Sequence, residues 1–197
     1  MHSSTFKLSD RLWVWLALTL TLGGAVSLRV PPSAMAQTGS VWRSLQTQEG
    51  HFSILMPGES DRTTQSVRIL GRSATKISLS ATQWQHGARY QVSWIDLPNS
   101  LRKRGDRQRT LLFEDTLTQL AQELDGQLLQ ETDLTLAGHP GKQYRLSHWV
   151  EGEAYVVTSR AFWVGPRFFQ ISVALPERFA PGLEGSTQGF LKSFRIR

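Results

Sequence analysis

Apolar and polar residues alternate with a period of two along most of the chain beyond Trp42, a pattern typical of β-strands that bury one face. Short turn signals separate the alternating segments, among them His86-Gly87, Glu151-Gly152-Glu153 and Gly165-Pro166. Because parallel strands need a crossover of about a dozen residues or more, these turns predict antiparallel pairing. The apolar residues of the segments are Phe52, Ile54 and Met56 before Pro57-Gly58; Val67 and Ile69 before Gly71; Ile77, Leu79 and Ala81; Tyr90, Val92 and Trp94 before Pro98; Leu134 and Leu136 before a turn at Gly138-His139-Pro140-Gly141; Tyr144, Leu146 and Val150; Tyr155, Val157, Ala161 and Trp163; and Phe169, Ile171, Val173 and Leu175 before Pro176.

Two segments change to a helical period. Between Asp106 and Asp125 the apolar residues recur at steps of three and four, which predicts an amphipathic helix with Asp106 as N-cap and Gly126 as its stop. A closing helix is predicted after Pro181-Gly182. Two helices cannot cover both faces of a parallel sheet, so the predicted fold class is α+β, an antiparallel β-sheet with helices packed on it. The apolar residues of the two helices are Leu112, Phe113, Leu117, Leu120, Ala121 and Leu124, and then Leu183, Thr187, Phe190, Leu191 and Phe194.

The first 36 residues have the three-part order of a secretory signal. Lys7 and Arg11 precede an apolar run from Leu12 to about Leu28, and a small-x-small site at Ala34-Met35-Ala36 follows. We predict cleavage after Ala36, which divides the chain into a signal peptide (residues 1–36) and a single α+β domain (37–197). The alternative is an uncleaved membrane anchor, because the run is near the lower length limit for spanning a bilayer.

The amino-acid composition excludes several kinds of functional site. The 197 residues include no cysteine, which excludes disulfides, a thiol nucleophile and Cys-ligated metals. The net charge is +6, and residues 1–36 contribute +2 of it, so the domain keeps +4. This charge favours an acidic protein surface or an anionic membrane surface as partner; with export, it does not favour nucleic acid.

Several local motifs together resemble a group of exported bacterial proteins, common in cyanobacteria, with the PsbP/Mog1-like architecture. The resemblance spans roughly residues 42–196 and rests on turns and core positions. It implies a twisted antiparallel sheet with packed helices, a place in the periplasm or thylakoid lumen, and a binding rather than a catalytic role; PsbP itself assists photosystem II by binding to it. The chain lacks the lipidated cysteine of the cyanobacterial PsbP homologue. The matching motifs are Trp42, Gly50-His51-Phe52-Ser53-Ile54-Leu55-Met56-Pro57-Gly58, Ile95-Asp96-Leu97-Pro98, Leu136-Ala137-Gly138-His139-Pro140-Gly141 and Phe190-Leu191-Lys192-Ser193-Phe194.

Catalytic signals are sparse. Three of the four histidines beyond the signal, His51, His86 and His139, stand beside glycine in predicted turns, where solvated polar residues are common. His148 shares a strand face with core residues, where a hydrogen-bonded structural histidine is the expectation. The adjacent acids Glu114 and Asp115 suit a solvated helix face rather than an acid–base pair. No motif for a cofactor, a metal or a catalytic residue is present.

The strongest local anomaly is a run of five positive charges before and within the start of the first helix: Arg102, Lys103, Arg104, Arg107 and Arg109. Cations are mildly unfavourable at a helix N-terminus, so an acidic protein surface or an anionic membrane would stabilise them there. Hydration of a solvated loop is the competing explanation. We predict these five residues as a partner-binding site.

Trp149 is a second partner-binding candidate. It alternates out of phase with Tyr144 and Leu146, on the strand face that also carries Arg145. Tryptophan and arginine are enriched at protein-contact hot spots.

The sequence therefore favours an exported accessory or binding module that attaches to a larger, possibly photosynthetic, membrane assembly. One alternative is a small-molecule or lipid binder with a pocket between sheet and helix. The other is a hydrolase with scattered residues, in which Ser147 or Ser159 would have to reach His148.

Overall fold

The computed structural model describes residues 42–102 and 105–197, and it is built mostly of β-strands. The described residues form one compact unit. The elements are β1 (Trp42–Thr47), β2 (Phe52–Pro57), β3 (Asp61–Ile69), β4 (Arg72–Gln83), β5 (Ala88–Asp96), α1 (Asp106–Leu124), β6 (Gln127–Leu136), β7 (His139–Val150), β8 (Glu153–Val164), β9 (Arg167–Pro176), α2 (Ala180–Ser193) and β10 (Arg195–Ile196), with 3-10 turns at Asn99–Leu101 and Glu177–Phe179.

All the strands pair antiparallel, which confirms the predicted pairing. A seven-stranded sheet has the order β3-β4-β5-β9-β8-β7-β6, and a second, three-stranded sheet has the order β1-β2-β10. The α+β class is confirmed in outline, but the fold is more strongly β than predicted. Strand β2 of the small sheet was predicted, but its partners β1 and β10 and the first part of the exposed edge strand β6 were not, because their polar residues break the alternation.

The seven-stranded sheet buries a core on each face. One face packs against α2 and the small sheet, where Phe52, Phe190 and Phe194 are almost fully buried. The other face packs against α1 through Leu112, Phe113 and Leu120. The closing motif around Phe190 and Phe194 therefore supplies core positions, as predicted.

The two ends of the large sheet carry different residues. One end holds the β6–β7 and β8–β9 turns and the start of α1, and we call it the basic end. The opposite end holds the β4–β5 turn around Trp84 and the β7–β8 turn at Glu151-Gly152, and we call it the tryptophan end. Every β7 residue from His139 to Val150 lies between these two ends.

Helix α1 begins at Asp106, as predicted, but its two capping residues each lie one position before the predicted ones. Gly105 is the N-cap, with an extended backbone, while Asp106 is already helical and pairs with Arg109 at 2.6 Å. At the C-terminus Asp125 adopts the left-handed conformation, with φ of 47°, so it takes the position assigned to Gly126. Because Asp106 is the first helical residue, its side chain does not occupy the N-cap position.

The β6–β7 turn is also tighter than predicted. It consists of Ala137 and Gly138, both with positive φ, and His139 already pairs with Leu136 inside the ladder. Two successive residues with positive φ suit a two-residue hairpin turn, because this conformation matches the twist of the flanking strands. His139 and Pro140 are therefore strand residues.

Polar contacts fix α1 on the sheet. The Tyr144 hydroxyl donates to the Phe113 carbonyl oxygen at 3.0 Å, and burial raises the pKa of Tyr144 well above its usual value. On the other flank, the Asp115 carboxylate accepts a hydrogen bond from the backbone N–H of Leu70 at 3.0 Å. The interpretation of Asp115 as a merely solvated acid is wrong, because the β3–β4 hairpin reaches this side of the helix.

Two glycines inside α2 allow a test of how helix propensity affects stability. A Cβ added at Gly185 or Gly189 would meet no atom within 4 Å. Alanine is favoured over glycine in a helix interior by about 0.5–1 kcal/mol, because glycine loses more backbone freedom on folding. We expect Gly185→Ala and Gly189→Ala each to raise the free energy of unfolding by that amount in urea denaturation. Destabilisation by either substitution would show that this face of α2 is covered.

Candidate functional site

A cavity of about 290 Å³ opens at the basic end, beside the first turn of α1. Trp163 is 5% exposed, and its indole N–H donates to the Gly165 carbonyl at 2.8 Å. Its contribution to the cavity lining is therefore apolar ring surface rather than a hydrogen-bond donor. Arg109 and His139 are half-buried and supply the polar side chains. The lining residues are Gly105, Arg109, Gly138, His139, Pro140, Trp163 and Gly165.

The described members of the basic run have different roles. The Arg102 Nε donates to the Leu97 carbonyl at 2.8 Å, which secures the loop before α1. Arg109 is paired with Asp106, whose side chain is 89% exposed. Arg107 is exposed and has no ion pair within residues 42–102 and 105–197. Lys103 and Arg104 lie outside the described residues.

We define the basic surface as Arg102, Lys103, Arg104, Arg107 and Arg109. Its described member Arg109 lines the cavity wall together with Gly105. If the basic run were only a hydrated loop, there would be no reason for a recess beside it. The recess is lined by the side chains of Arg109, His139 and Trp163. The arrangement suits an acidic group that contacts the arginines and sends one side chain into the recess.

Trp149 does not belong to this surface. It is exposed, as one of the predicted alternatives held, but it lies ten residues along β7 from His139. At about 3.3 Å per strand residue, this places it about 33 Å from the cavity. The four described residues of the six predicted partner-binding ones therefore divide between opposite ends of the sheet.

His148 is half-buried and its Nε2 has no hydrogen-bond partner among the described residues. Its ring contacts Tyr155 with 5.5 Å between centroids. Burial lowers the pKa of His148, so the imidazole is neutral at neutral pH. The expectation of a fully hydrogen-bonded core histidine is thus not met at Nε2.

Ser159, one of the two serines of the hydrolase alternative, is placed away from His148. The Ser159 hydroxyl bonds to that of Ser172 at 2.9 Å and accepts from the Gln170 side-chain amide at 3.2 Å. In the strand register Ser159 pairs with Tyr144, whereas His148 pairs with Tyr155, four residues away. Among the described residues, no cluster of three His, Asp or Glu side chains is arranged to hold a metal ion.

The crevice between α1 and the sheet is small. It has a volume of about 30 Å³ and is lined by residues that include Ser93, Gln119 and Gln170. This is room for about one water molecule, far below the roughly 300–1,000 Å³ of typical ligand pockets. A pocket between sheet and helix, as the small-molecule alternative required, is not found at this place.

Sequence reasoning missed Trp84 and the cavity. Trp84 is 77% exposed in the β4–β5 turn, and its position out of phase with Ile77, Leu79 and Ala81 was the available signal. The cavity is lined by residues from α1, β7 and β8, whose proximity depends on the strand order.

No helix in the described part of the chain has the length and apolarity to cross a membrane.

Comparison with known proteins supports the fold. No family model matches the chain, and no curated protein is detectably similar in sequence. The solution structure of cyanobacterial PsbP from Synechocystis sp. PCC 6803 is similar, with a TM-score of 0.56, 9% identity, and coverage of 85% of this chain and all of that one. This confirms the predicted resemblance to the PsbP-like fold.

Two further solved structures are more distant. A putative regulator of unknown function from Pseudomonas aeruginosa has a TM-score of 0.41 and 11% identity, with coverage of 79% of this chain and 97% of that one. LpqN of Mycobacterium tuberculosis, involved in cell envelope biogenesis, has a TM-score of 0.40 and 11% identity, with coverage of 79% and 90%.

Proposed function

We propose that this protein is an exported, non-catalytic accessory module that attaches to a membrane assembly by docking an acidic protein surface on its basic surface. The observation that carries the proposal is the cationic run beside a recess lined by Arg109, His139 and Trp163. The only acid between Arg102 and Arg109 is Asp106, so the local charge is strongly positive. An acidic partner would meet several unneutralised cations here.

The proposed compartment is the periplasm or thylakoid lumen. It rests on the signal-like residues 1–36, which lie outside the described residues, and the PsbP-like fold is compatible with it. A photosynthetic assembly is the candidate that the sequence resemblance suggests. The fold likeness transfers no contact residue, so the argument for binding rests on the basic surface.

The test removes three charges without disturbing known structural contacts. Lys103→Gln, Arg104→Gln and Arg107→Gln are combined, while Arg102 is retained because it bonds to the Leu97 carbonyl. A control variant loses the same charge elsewhere, through Arg43→Gln, Arg145→Gln and Lys192→Gln, all exposed positions. Immobilised domains are exposed to a detergent-solubilised membrane extract, and retained proteins are identified by mass spectrometry.

We expect an assembly to be retained by the wild type and the control variant, and the basic-surface variant to bind it at least about tenfold more weakly. Added salt should weaken the wild type in the same direction. The melting curves should coincide, since all three changed residues are charged and Arg107 is exposed. Equal binding by all three proteins, or binding only to anionic vesicles, would contradict the proposal.

A further inference from the structure

The cavity at the basic end is larger than a single acidic group needs. Its volume is about 290 Å³. At the liquid share of about 30 Å³ per water molecule, this is room for about ten waters. A carboxylate has only three heavy atoms and would leave most of the space unfilled. A ligand that fills the cavity therefore carries a second group beside its carboxylate.

The wall of the cavity offers two kinds of surface. Arg109 donates from one guanidinium nitrogen to the Asp106 carboxylate at 2.6 Å, its only acceptor among the described residues. Since a guanidinium has five N–H donors, it retains donors for a second carboxylate. His139 adds an imidazole, while Trp163 and Pro140 contribute apolar ring surface. The wall thus suits a ligand with one anionic and one apolar group.

Two of the glycines that line the cavity have open space beside them. A Cβ added at Gly105 or Gly138 would meet no atom within 4 Å. Glycine allows another backbone to approach closely, because it has no side chain. A peptide main chain therefore has room beside these two positions, while its end occupies the cavity.

We infer that the cavity binds the carboxyl-terminal residue of the protein partner, with the terminal carboxylate on Arg109 and His139 and an apolar last side chain against Trp163. A terminal residue carries both groups on one Cα atom, so it satisfies both kinds of wall at once. An internal Asp or Glu brings only the carboxylate. The inference rests on the proposed function, because it identifies the part of the acidic partner that enters the cavity.

Three acetylated tetrapeptides separate a terminal carboxylate from an internal one. The first is acetyl-Ala-Ala-Ala-Phe with a free carboxyl terminus, and the second is the same peptide as an amide. The third, acetyl-Ala-Ala-Glu-Phe amide, has the charge of the first but carries it on a side chain. Each is titrated into the domain of residues 37–197, and the indole N–H resonance of Trp163 reports binding at the cavity wall by NMR.

Two variants change the wall, and a third is the control. Arg109→Gln removes the proposed carboxylate partner. Gly105→Asp adds a negative charge at the wall, and the melting temperature should not fall, because aspartate is a favourable residue at this N-cap position. The matched control Arg145→Gln loses the same charge as Arg109→Gln at an exposed position that does not line the cavity. Melting temperatures of all the proteins are compared first.

We expect the free-acid peptide to shift the Trp163 resonance and to bind at least about tenfold more tightly than either amide peptide. Arg109→Gln and Gly105→Asp should each weaken the free-acid peptide by at least about tenfold, and Arg145→Gln should bind it like the wild type. Added salt should weaken binding of the free acid and leave the uncharged amide unaffected.

Several outcomes would overturn the inference. They are equal binding of the free acid and its amide, tighter binding of the internal-glutamate peptide, unchanged binding by Arg109→Gln, and a Trp163 resonance that does not shift at millimolar peptide. Any of these, together with an assembly retained through the basic surface, would reject the terminal residue and leave the proposed function intact. Conversely, peptide binding as expected, with the assembly still retained by the basic-surface variant, would reject that docking proposal alone.

Discussion

Replacing Phe194 with alanine is expected to lower the free energy of unfolding by about 3–5 kcal/mol, the usual cost of truncating a buried phenylalanine. Phe194 is 1% exposed. Its ring packs against Phe52, Phe162 and Phe169, with centroids 5.5, 6.3 and 5.3 Å away. It therefore joins the small sheet to two strands of the large sheet, and its loss leaves a cavity that these fixed elements cannot close.

Urea denaturation followed by circular dichroism measures the effect, with Leu111→Ala as the control. Leu111 is also a large apolar residue near one end of a helix, but it is 43% exposed. Its truncation should change stability far less, within about 0.5 kcal/mol apart from helix propensity. Equal losses for the two variants would mean that Phe194 is not a central core residue.

Most positions that alternation assigned to the core are buried in the structure, although some, such as Val67 and Val150, are only partly buried. Tyr90, Val92 and Trp94 are each at most 2% exposed, and the three apolar residues of β2 are equally buried. Period-two patterning succeeds there because one face of each strand meets a hydrophobic layer. It failed for the first seven residues of β6, which are all exposed at the sheet edge and so need no alternation.

Helix ends and turns were predicted less accurately, because competing local contacts decide them. Asp106 was a reasonable N-cap by residue type, yet Arg109 three residues later draws its carboxylate into an ion pair. Likewise, Gly126 was the conventional stop, but Asp125 takes the left-handed conformation one residue earlier. Such choices differ by about 1 kcal/mol, which residue type alone does not resolve.

The candidate site was predictable only in its charges. The basic run is contiguous in the sequence, whereas His139 and Trp163 reach the same cavity from β7 and β8. The separation of Trp149 from that cavity follows from the length of β7, which the pattern left uncertain by several residues. A sequence therefore shows which residues carry charge, while strand register decides which of them can act together.

Gly141→Ala is expected to be the most damaging substitution at the hairpin beside the cavity. A Cβ at position 141 would lie 2.3 Å from the Phe162 ring and 2.7 Å from the Ala161 carbonyl oxygen. Gly141 and Phe162 are paired in register, so the ring covers the glycine across the strands. Overpacking of this kind costs about 1–3 kcal/mol, and the shifted ring would also disturb its stacking on Phe194.

A double-mutant cycle identifies the ring as the cause of this loss. The free energy of unfolding is measured for Gly141→Ala, Phe162→Ala and the double variant, with Gly189→Ala as the same substitution in open space. We expect Gly141→Ala to cost less when Phe162 is absent, because only the backbone contact with the Ala161 carbonyl remains, while Gly189→Ala stabilises. If the cost of Gly141→Ala is the same in both backgrounds, backbone geometry rather than the Phe162 ring requires glycine at this position.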